Sequence, residues 1–173
     1  MELTLRDRLQ RMGMFATALA EPGALELLLG LLKPREFKGG TVILAEDDEG
    51  TEMYILHRGR VRIRKRTPLG DMYTVVLLDE GSDDAFFGEV ALLESERRSA
   101  TVEAETDAEC FVMTKDDFIR LGDTHPRVGL LITREIAKIL SQRMRKANHD
   151  MVTLFTALVS EIEGEMGCSS TQM

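Results

Sequence analysis

The sequence predicts a mainly β fold with α-helices at both ends. Between Phe37 and Thr114, short runs rich in β-branched and aromatic residues alternate with turns built on glycine or proline. Before and after this region, apolar residues recur every three or four positions, which is the period of an amphipathic helix. Many short strands with regular turn signals are typical of a sandwich, barrel or jelly roll. We therefore expect one such β domain with helical extensions.

Length and charge limit the function classes. The chain has 173 residues, 43% of them hydrophobic, which is enough for one ordinary domain with a real core. Its net charge of −8 makes the chain as a whole a poor candidate for nucleic-acid binding. The longest apolar run, residues 24–32, contains Glu26 and is about half the length that spans a bilayer. Charges come too early for a signal peptide, so we expect a cytoplasmic protein without a membrane partner.

The cysteines favour a reducing compartment. Cys110 and Cys168 are far apart in the sequence, and neither has a second cysteine or a histidine at metal-ligand spacing. Cys110 falls in an apolar strand pattern and is expected in the core, whereas Cys168 is expected to be a free thiol in a polar tail.

Residues 1–35 form the predicted N-terminal helical segment. Residues 4–18 carry Leu5, Leu9 and Phe15 at helical spacing. Pro22, at a first-turn position, is expected to open a second helix that Pro34 ends. We expect this pair to pack on the following domain.

Residues 36–125 form the predicted β domain. Its expected strands are 41–44, 53–57, 61–66, 72–78, 100–105 and 110–114. Arginines alternate along one strand, at Arg58, Arg60, Arg62, Arg64 and Arg66. A charged outer sheet face explains this pattern better than a binding surface. We expect the acidic runs at 46–52 and 79–84 to neutralise it in part.

The C-terminal region is predicted to be helical. Thr114 with Asp117 forms a capping pattern for a short helix that Gly122 is expected to end. Pro126 then opens the longest element, residues 126–165, followed by a disordered tail at 166–173. Its apolar seam at 3–4 spacing consists of Ala137, Leu140, Met144, Ala147, Met151, Leu154 and Leu158. A parallel homodimer through this seam is favoured, and a single helix packing on its own domain is the alternative.

The most informative stretch is residues 86–102. Gly88 lets another group approach the backbone closely, and the short helix expected to open at Glu89 begins with unpaired N–H groups that suit an anion. Arg98, followed by Ser99, could hold a phosphate through two parallel hydrogen bonds. Glu89 accepts hydrogen bonds when ionised and suits a sugar hydroxyl. These residue types predict a pocket for a small sugar phosphate.

This stretch resembles the phosphate-binding cassette of cyclic nucleotide-binding domains. The resemblance rests on Phe87-Gly88-Glu89, on Ala91-Leu92-Leu93 and on Arg98-Ser99-Ala100, and it extends over roughly residues 15–148, including the turn glycine Gly59. It implies an eight-stranded β-roll. It also implies that Glu89 takes the ribose 2′-hydroxyl and Arg98 the cyclic phosphate, while Ser99 and the backbone amides of residues 88–91, including Val90, complete the cradle.

The resemblance also implies the groups that contact the base. Ile63, Val76 and Leu78 would point inward. The long helix would also contact the base, at positions that are Arg143 and Met144 here, so the adjacent hydroxyls with which the family often recognises adenine are missing. Arg143 could stack on either purine or donate to its carbonyl groups. The chain departs from the family in the loop 81–86, which is longer and carries Asp83 and Asp84. Negative charge near a phosphate weakens binding unless it points to water.

Three classes of function follow. The first is a non-catalytic regulatory module that binds cAMP or cGMP, needs no cofactor and acts through an effector protein. The second is a metal enzyme in a small β-roll, which requires several converging ligands; His57, His125 and His149 are scattered over a strand, a proline junction and the long helix. The third is a dimeric interaction module with an unused pocket. Too few residues follow the long helix for a helix-turn-helix, so no direct DNA binding is expected.

Overall fold

The computed structural model describes residues 4–82, 84–94 and 96–168, with side chains as far as Ile162. By its internal contacts the chain divides into two units, Met1–Glu135 and Ile136–Met173. The first unit contains every strand of the described chain.

The N-terminal helices are shorter than predicted. Helix α1 spans Leu5–Arg11 and begins at a capping box between Thr4 and Asp7. The predicted single helix over 4–18 is wrong, because the backbone at Met12 is extended (φ −76°, ψ 120°) and separates α1 from α2, Gly13–Ala16. A 3₁₀ turn follows at Ala18–Ala20, and α3 spans Ala24–Leu31. Helix α3 begins two residues after Pro22, because Gly23 adopts a left-handed conformation (φ 77°) before it.

In the described residues, eight antiparallel strands form two four-stranded sheets. They are β1 Lys33–Phe37, β2 Val42–Leu44, β3 Glu52–Arg58, β4 Arg60–Arg66, β5 Met72–Asp79, β6 Phe86–Phe87, β7 Thr101–Ala104 and β8 Ala108–Thr114. One sheet has the order β1-β8-β3-β6 and the other β2-β7-β4-β5. Two antiparallel sheets wound from alternating strands confirm the predicted jelly-roll type of β-roll.

Two strands escaped the sequence analysis. Strand β1 starts at Lys33, ahead of the boundary assigned at residue 36, and it contains Pro34, which was expected only to end a helix. A proline is tolerated there because β1 lies at a sheet edge and pairs on one side alone, with β8. Strand β6 has two residues, too few for an alternation pattern, and it is held by antiparallel pairing with β3.

The roll interior is filled by one apolar cluster to which six of the eight strands contribute. Its buried members are Leu44, Tyr54, Leu56, Val61, Ala85, Phe87, Val102, Ala104, Ala108, Cys110 and Val112. Along β3 the residues of opposite parity, Met53 and Ile55, are buried as well, so this strand is covered on both faces. Cys110 lies in the core as predicted, and burial raises the pKa of its thiol to about 12.

Three arginines of β4 pair with acidic residues on strand β7 or directly after it. Arg60 and Arg62 contact Glu105, and Arg64 Nη1 lies 3.3 Å from Glu103 Oε2. The interpretation as a charged outer sheet face holds, but the ion-pair partners are Glu103 on β7 and Glu105 directly after it, rather than the acidic runs named above. Sheet order decides this, since β7 lies directly beside β4.

Two helices follow the roll. Helix α5 spans Lys115–Thr124 and is capped by Thr114, whose side chain accepts from the Asp117 N–H at 3.1 Å, as predicted. Gly122 does not end this helix. A Cβ added to Gly129 would lie 2.7 Å from the Gly122 Cα, so the two glycines mark a close approach of two backbones.

Helix α6 spans Pro126–Cys168 and extends three residues beyond the predicted end. Most of it belongs to the second unit, where the large apolar side chains that are exposed are Met144, Met151, Val152, Leu154, Phe155, Leu158 and Ile162. The expected tail at 166–173 begins inside the helix. Its last five residues, and the side chain of Cys168, lie outside the described part of the structure.

Candidate functional site

The predicted phosphate segment forms a strand, a tight turn and a short helix. After β6 the chain turns at Gly88, and helix α4 spans Val90–Leu93 with Glu89 as its N-cap residue. The expected helix start was therefore correct to one residue, and the strand expected over 100–105 spans Thr101–Ala104. Ser99 is exposed and Ala100 half-buried, and both lie between Arg98 and β7.

Gly88 is required by geometry on two counts. Its φ of 76° lies in the left-handed region, which side chains rarely adopt. A Cβ at this position would also lie 2.9 Å from Arg98 Nη1 and 2.9 Å from the Glu52 carbonyl oxygen. Only glycine lets the turn and the arginine approach each other this closely.

Arg98 is the central charged group of the site. It is only 7% exposed, and Nη1 donates to the Gly88 carbonyl at 3.4 Å. Its backbone is fixed to the loop after β2, because its N–H donates to Asp48 O at 2.8 Å and its carbonyl accepts from Asp47 N at 2.9 Å. Among the described residues, none accepts a hydrogen bond from Arg98 Nε. Burial lowers the pKa of this guanidinium. A buried cation with an unused Nε donor is suited to an anionic ligand.

Glu89 is buried next to this turn, with 4% of its surface exposed. Its side chain makes no capping hydrogen bond to the start of α4. The Ala91 N–H donates to the Gly88 carbonyl at 3.2 Å, which occupies one of the amides expected in the phosphate cradle. Within this turn, Gly88 is the residue that contacts Arg98.

A cavity of about 160 Å³ lies beside Arg98. It is lined by Ile43, Leu44, Ala45, Asp48, Glu49, Gly50, Glu52, Tyr54 and Arg98. Gly50 forms the wall against the guanidinium, because a Cβ there would overlap Arg98 Nε and Nη2. The acidic groups of this wall come from the loop after β2 and from β3. In the loop 81–86, Asp84 is exposed, and Asp83 lies outside the described residues.

A second charged group in this region was missed by the sequence analysis. Arg35 on β1 donates to both carboxylate oxygens of Glu52, at 2.8 and 3.0 Å, and to the Tyr54 hydroxyl at 3.0 Å. The Arg35 hydrogen bond holds the pKa of Glu52 below its ordinary value, and burial raises the pKa of Tyr54 to about 12. The Tyr54 ring stacks on Phe87 at 5.2 Å between centroids.

Only part of this network could have been inferred. Glu52 and Tyr54 are two residues apart on one strand and so share a face, which the sequence indicates. Arg35 lies in the strand that the sequence analysis did not predict, so its pairing was out of reach.

The residues predicted to contact a base lie on β4 and β5. Ile63 is paired with Val76 and Val61 with Leu78 across these strands. Ile63 and Leu78 are half-buried against the roll's core, and Val76 is 40% exposed. Arg143 lies on α6 in the second unit, whereas all the other predicted site residues belong to the first.

The described residues contain no cluster of three or more histidine, cysteine or carboxylate groups placed to hold a metal ion. His57 is buried with its ring 5.1 Å from that of Phe111. His125 follows the end of α5, and His149 is exposed on α6. The three histidines therefore do not form one site.

An antiparallel β-roll with a left-handed glycine turn, a one-turn helix and a buried arginine defines a class of small-ligand-binding roll domains. The model of the cyclic nucleotide-binding domain family matches residues 34–125, more than half of this chain. The chain belongs to that family.

Relatives with known names support the same conclusion. The chain is 28% identical over 130 residues to the cyclic AMP receptor protein of Thermus thermophilus, covering 75% of this chain and 57% of that protein. It is 34% identical over 94 residues to the cAMP-dependent protein kinase regulatory subunit of Dictyostelium discoideum, covering 54% of this chain and 29% of that protein. The crystal structure of the Thermus thermophilus catabolite activator protein is similar with a TM-score of 0.68 at 28% identity, covering 78% of this chain and 60% of that one.

The chain spans about three fifths of the bacterial relative's length. Within the described residues, no helix has both the length and the apolar character needed to cross a membrane.

Proposed function

We propose that this chain is a regulatory module that binds a cyclic nucleotide, cAMP or cGMP, in its β-roll. The observation that carries the proposal is Arg98. It is a buried guanidinium whose Nε has no acceptor among the described residues, and it is held between the glycines at 50 and 88 next to the start of a helix. A buried guanidinium with an unused donor is costly, and a cyclic phosphate would supply an acceptor for Nε and a counter-charge in direct contact with the group.

We propose for the remaining groups the roles that the family resemblance implies. The backbone of residues 88–90 and the Ser99 hydroxyl offer further donors to the phosphate. Glu89, buried in the same turn, accepts from the ribose 2′-hydroxyl. Ile63, Val76 and Leu78 supply apolar contacts for the base. Arg143 on α6 stacks on the base, and occupancy is transmitted through the long helix to a homodimer partner or an effector protein. The module needs no catalytic group and no cofactor for this role.

One observation favours a second candidate, a dimeric interaction module whose pocket is unused. Asp48, Glu49 and Glu52 line the cavity next to Arg98, and carboxylates near an anion site oppose anion binding. Glu52 is largely neutralised by Arg35, which favours the first candidate.

Calorimetric titration of the purified protein with cAMP and cGMP decides between the two. Because a hydrogen bond to a charged group contributes about 1.5–3 kcal/mol, Arg98→Ala should weaken binding at least roughly tenfold. Arg97→Ala removes an equal charge from the exposed neighbouring position and should leave the affinity within about twofold.

Glu89→Ala should reduce the difference in binding affinity between the nucleotide and its 2′-deoxy analogue, because Glu89 is the proposed acceptor for the 2′-hydroxyl. If the wild-type protein binds neither nucleotide at millimolar concentration, the nucleotide-binding candidate is excluded and the module with an unused pocket remains.

A further inference from the structure

The first helix carries a charged side chain that is almost completely buried. Arg8 on α1 is 1% exposed, whereas Arg6 and Arg11 on the same helix are exposed. Its Nη1 donates to the Glu80 carbonyl at 3.2 Å, and its Nη2 donates to the Ser82 carbonyl at 2.8 Å. Both acceptors belong to the loop between β5 and β6. Burying a guanidinium is costly, and these two hydrogen bonds to the loop backbone offset part of that cost, so Arg8 ties the helix to the loop.

That loop leads directly into the phosphate-binding segment. Its start is fixed on the other side by the turn before β4, since the Gly59 N–H donates to Glu80 Oε2 at 2.8 Å and the Glu80 N–H donates to the Gly59 carbonyl at 3.2 Å. At its end, Ala85 is fully buried and its carbonyl accepts from Leu56 N at 2.9 Å. Strand β6 and Gly88 follow at once. Arg8 thus supplies the helix-side anchor of the chain that carries the turn.

We propose that Arg8 is a positioning residue for the nucleotide site, acting through the carbonyls of Glu80 and Ser82 on the placement of β6 and the Gly88 turn. The inference rests on the proposed function for its ligand, and it extends the site to a helix outside the family match at residues 34–125. Two donors in a fixed fork define both the position and the orientation of the loop backbone. Without them, the turn loses an anchor while the roll keeps its own core.

The test compares three variants of the full chain. Arg8→Met removes both donors and keeps a long apolar stem. Leu9→Val weakens the packing of the same helix, because Leu9 is fully buried, but leaves Arg8 in place. Arg6→Met removes an exposed charge from the same helix. Amide hydrogen exchange of the unliganded proteins and calorimetric titration with cAMP and cGMP are measured for each, with the melting temperature recorded in parallel.

In Arg8→Met we expect faster exchange over residues 84–91 and affinity at least roughly tenfold weaker than wild type. Leu9→Val should lower the melting temperature without faster exchange over residues 84–91 and without weaker affinity. Arg6→Met should match wild type in all three measurements. If Arg8→Met does not fold, Arg8→Lys replaces it; one ammonium lacks the fork, so exchange and affinity should change in the same direction by less.

Equal exchange and equal affinity in the Arg8 and Leu9 variants overturn the proposal, because the helix would then act only through packing. An Arg8→Met affinity equal to wild type also overturns it. If the wild-type protein binds neither nucleotide, the proposed function fails, and the exchange comparison alone decides whether Arg8 positions the turn.

Discussion

At the scale of single residues, the site depends on two glycines that make room for one arginine. Arg98 lies against both Gly50 and Gly88, and a Cβ on either would meet its guanidinium. Gly88 is part of the family pattern, but Gly50 has no positive φ and is needed only for the space it leaves. The guanidinium therefore occupies a slot formed by two separate backbone segments.

Gly50→Ala should push the Arg98 guanidinium out of its slot. Overpacking of a closely fitted buried site costs about 1–3 kcal/mol, and we expect a loss of stability in this range together with roughly tenfold weaker nucleotide binding. Urea unfolding and calorimetry measure the two effects. The matched control is Gly30→Ala on α3, where nothing lies within 4 Å of an added Cβ. It should stabilise the protein by about 0.5–1 kcal/mol without changing affinity. Wild-type affinity in Gly50→Ala would contradict the slot.

Glu52 makes the stability of the folded protein depend on pH. Its pKa in the folded protein lies below the ordinary 4.5, chiefly because Arg35 donates to it. A carboxyl with a lowered pKa contributes its stability fully above the unfolded value and loses it as the pH falls through the folded value. The difference in unfolding free energy between wild type and Glu52→Gln should be about 1 kcal/mol at neutral pH and should shrink below about pH 4.5.

Urea unfolding of both proteins across this pH range tests whether the difference in unfolding free energy shrinks toward acid pH. Glu26→Gln serves as the control, because Glu26 pairs with Arg6 at an exposed position and should contribute little at any pH. A difference for Glu52→Gln that grows toward acid pH would contradict the assignment.

At the scale of elements, helix α6 has an apolar stripe that its own unit leaves exposed. Met151 is 62% exposed, and Met144, Leu154 and Leu158 of the predicted seam are exposed too. Exposed apolar residues at 3–4 spacing along a long helix fit the seam of a parallel dimer. The dimer remains a prediction.

Met151→Asp should abolish this dimer, because association would bury an unpaired carboxylate twice. Sedimentation equilibrium should show a dimer for wild type and a monomer for the variant. The control His149→Asp adds the same negative charge at an exposed position on the opposite side of the helix, and should remain a dimer. A monomeric wild-type protein at high concentration would exclude the seam.

At the scale of the whole molecule, the prediction concerns transmission from the roll to the long helix. A ligand shifts a conformational equilibrium only if it binds one arrangement better, and ordinary couplings are about 1–3 kcal/mol. We expect cyclic nucleotide to protect residues 126–150 from hydrogen exchange, in addition to residues 86–102. Arg143→Ala should remove much of the protection on the helix and leave that of the phosphate segment. Protection confined to residues 86–102 in wild type would mean a pocket without a switch.

The sequence by itself determined the fold class and the succession of turn, short helix and arginine in the phosphate-binding segment. Strand alternation, turn glycines and the capping pattern at Thr114 are local features, readable because a strand or helix leaves its own period in the chain. The run from Phe87 to Ala100 likewise carries its turn, helix and arginine within a few residues of each other. Local patterns were misleading where an element is interrupted or very short, as at Met12 and in β6.

Only the tertiary structure decided which distant residues complete the site. Arg8 and Ser82 are 74 residues apart, Arg35 and Glu52 are 17 apart, and Gly50 meets Arg98 across two loops. The sequence separation of these pairs does not reveal that they are in contact. Each contact depends on how the sheets and helices pack, and not on the segment of chain between the two residues.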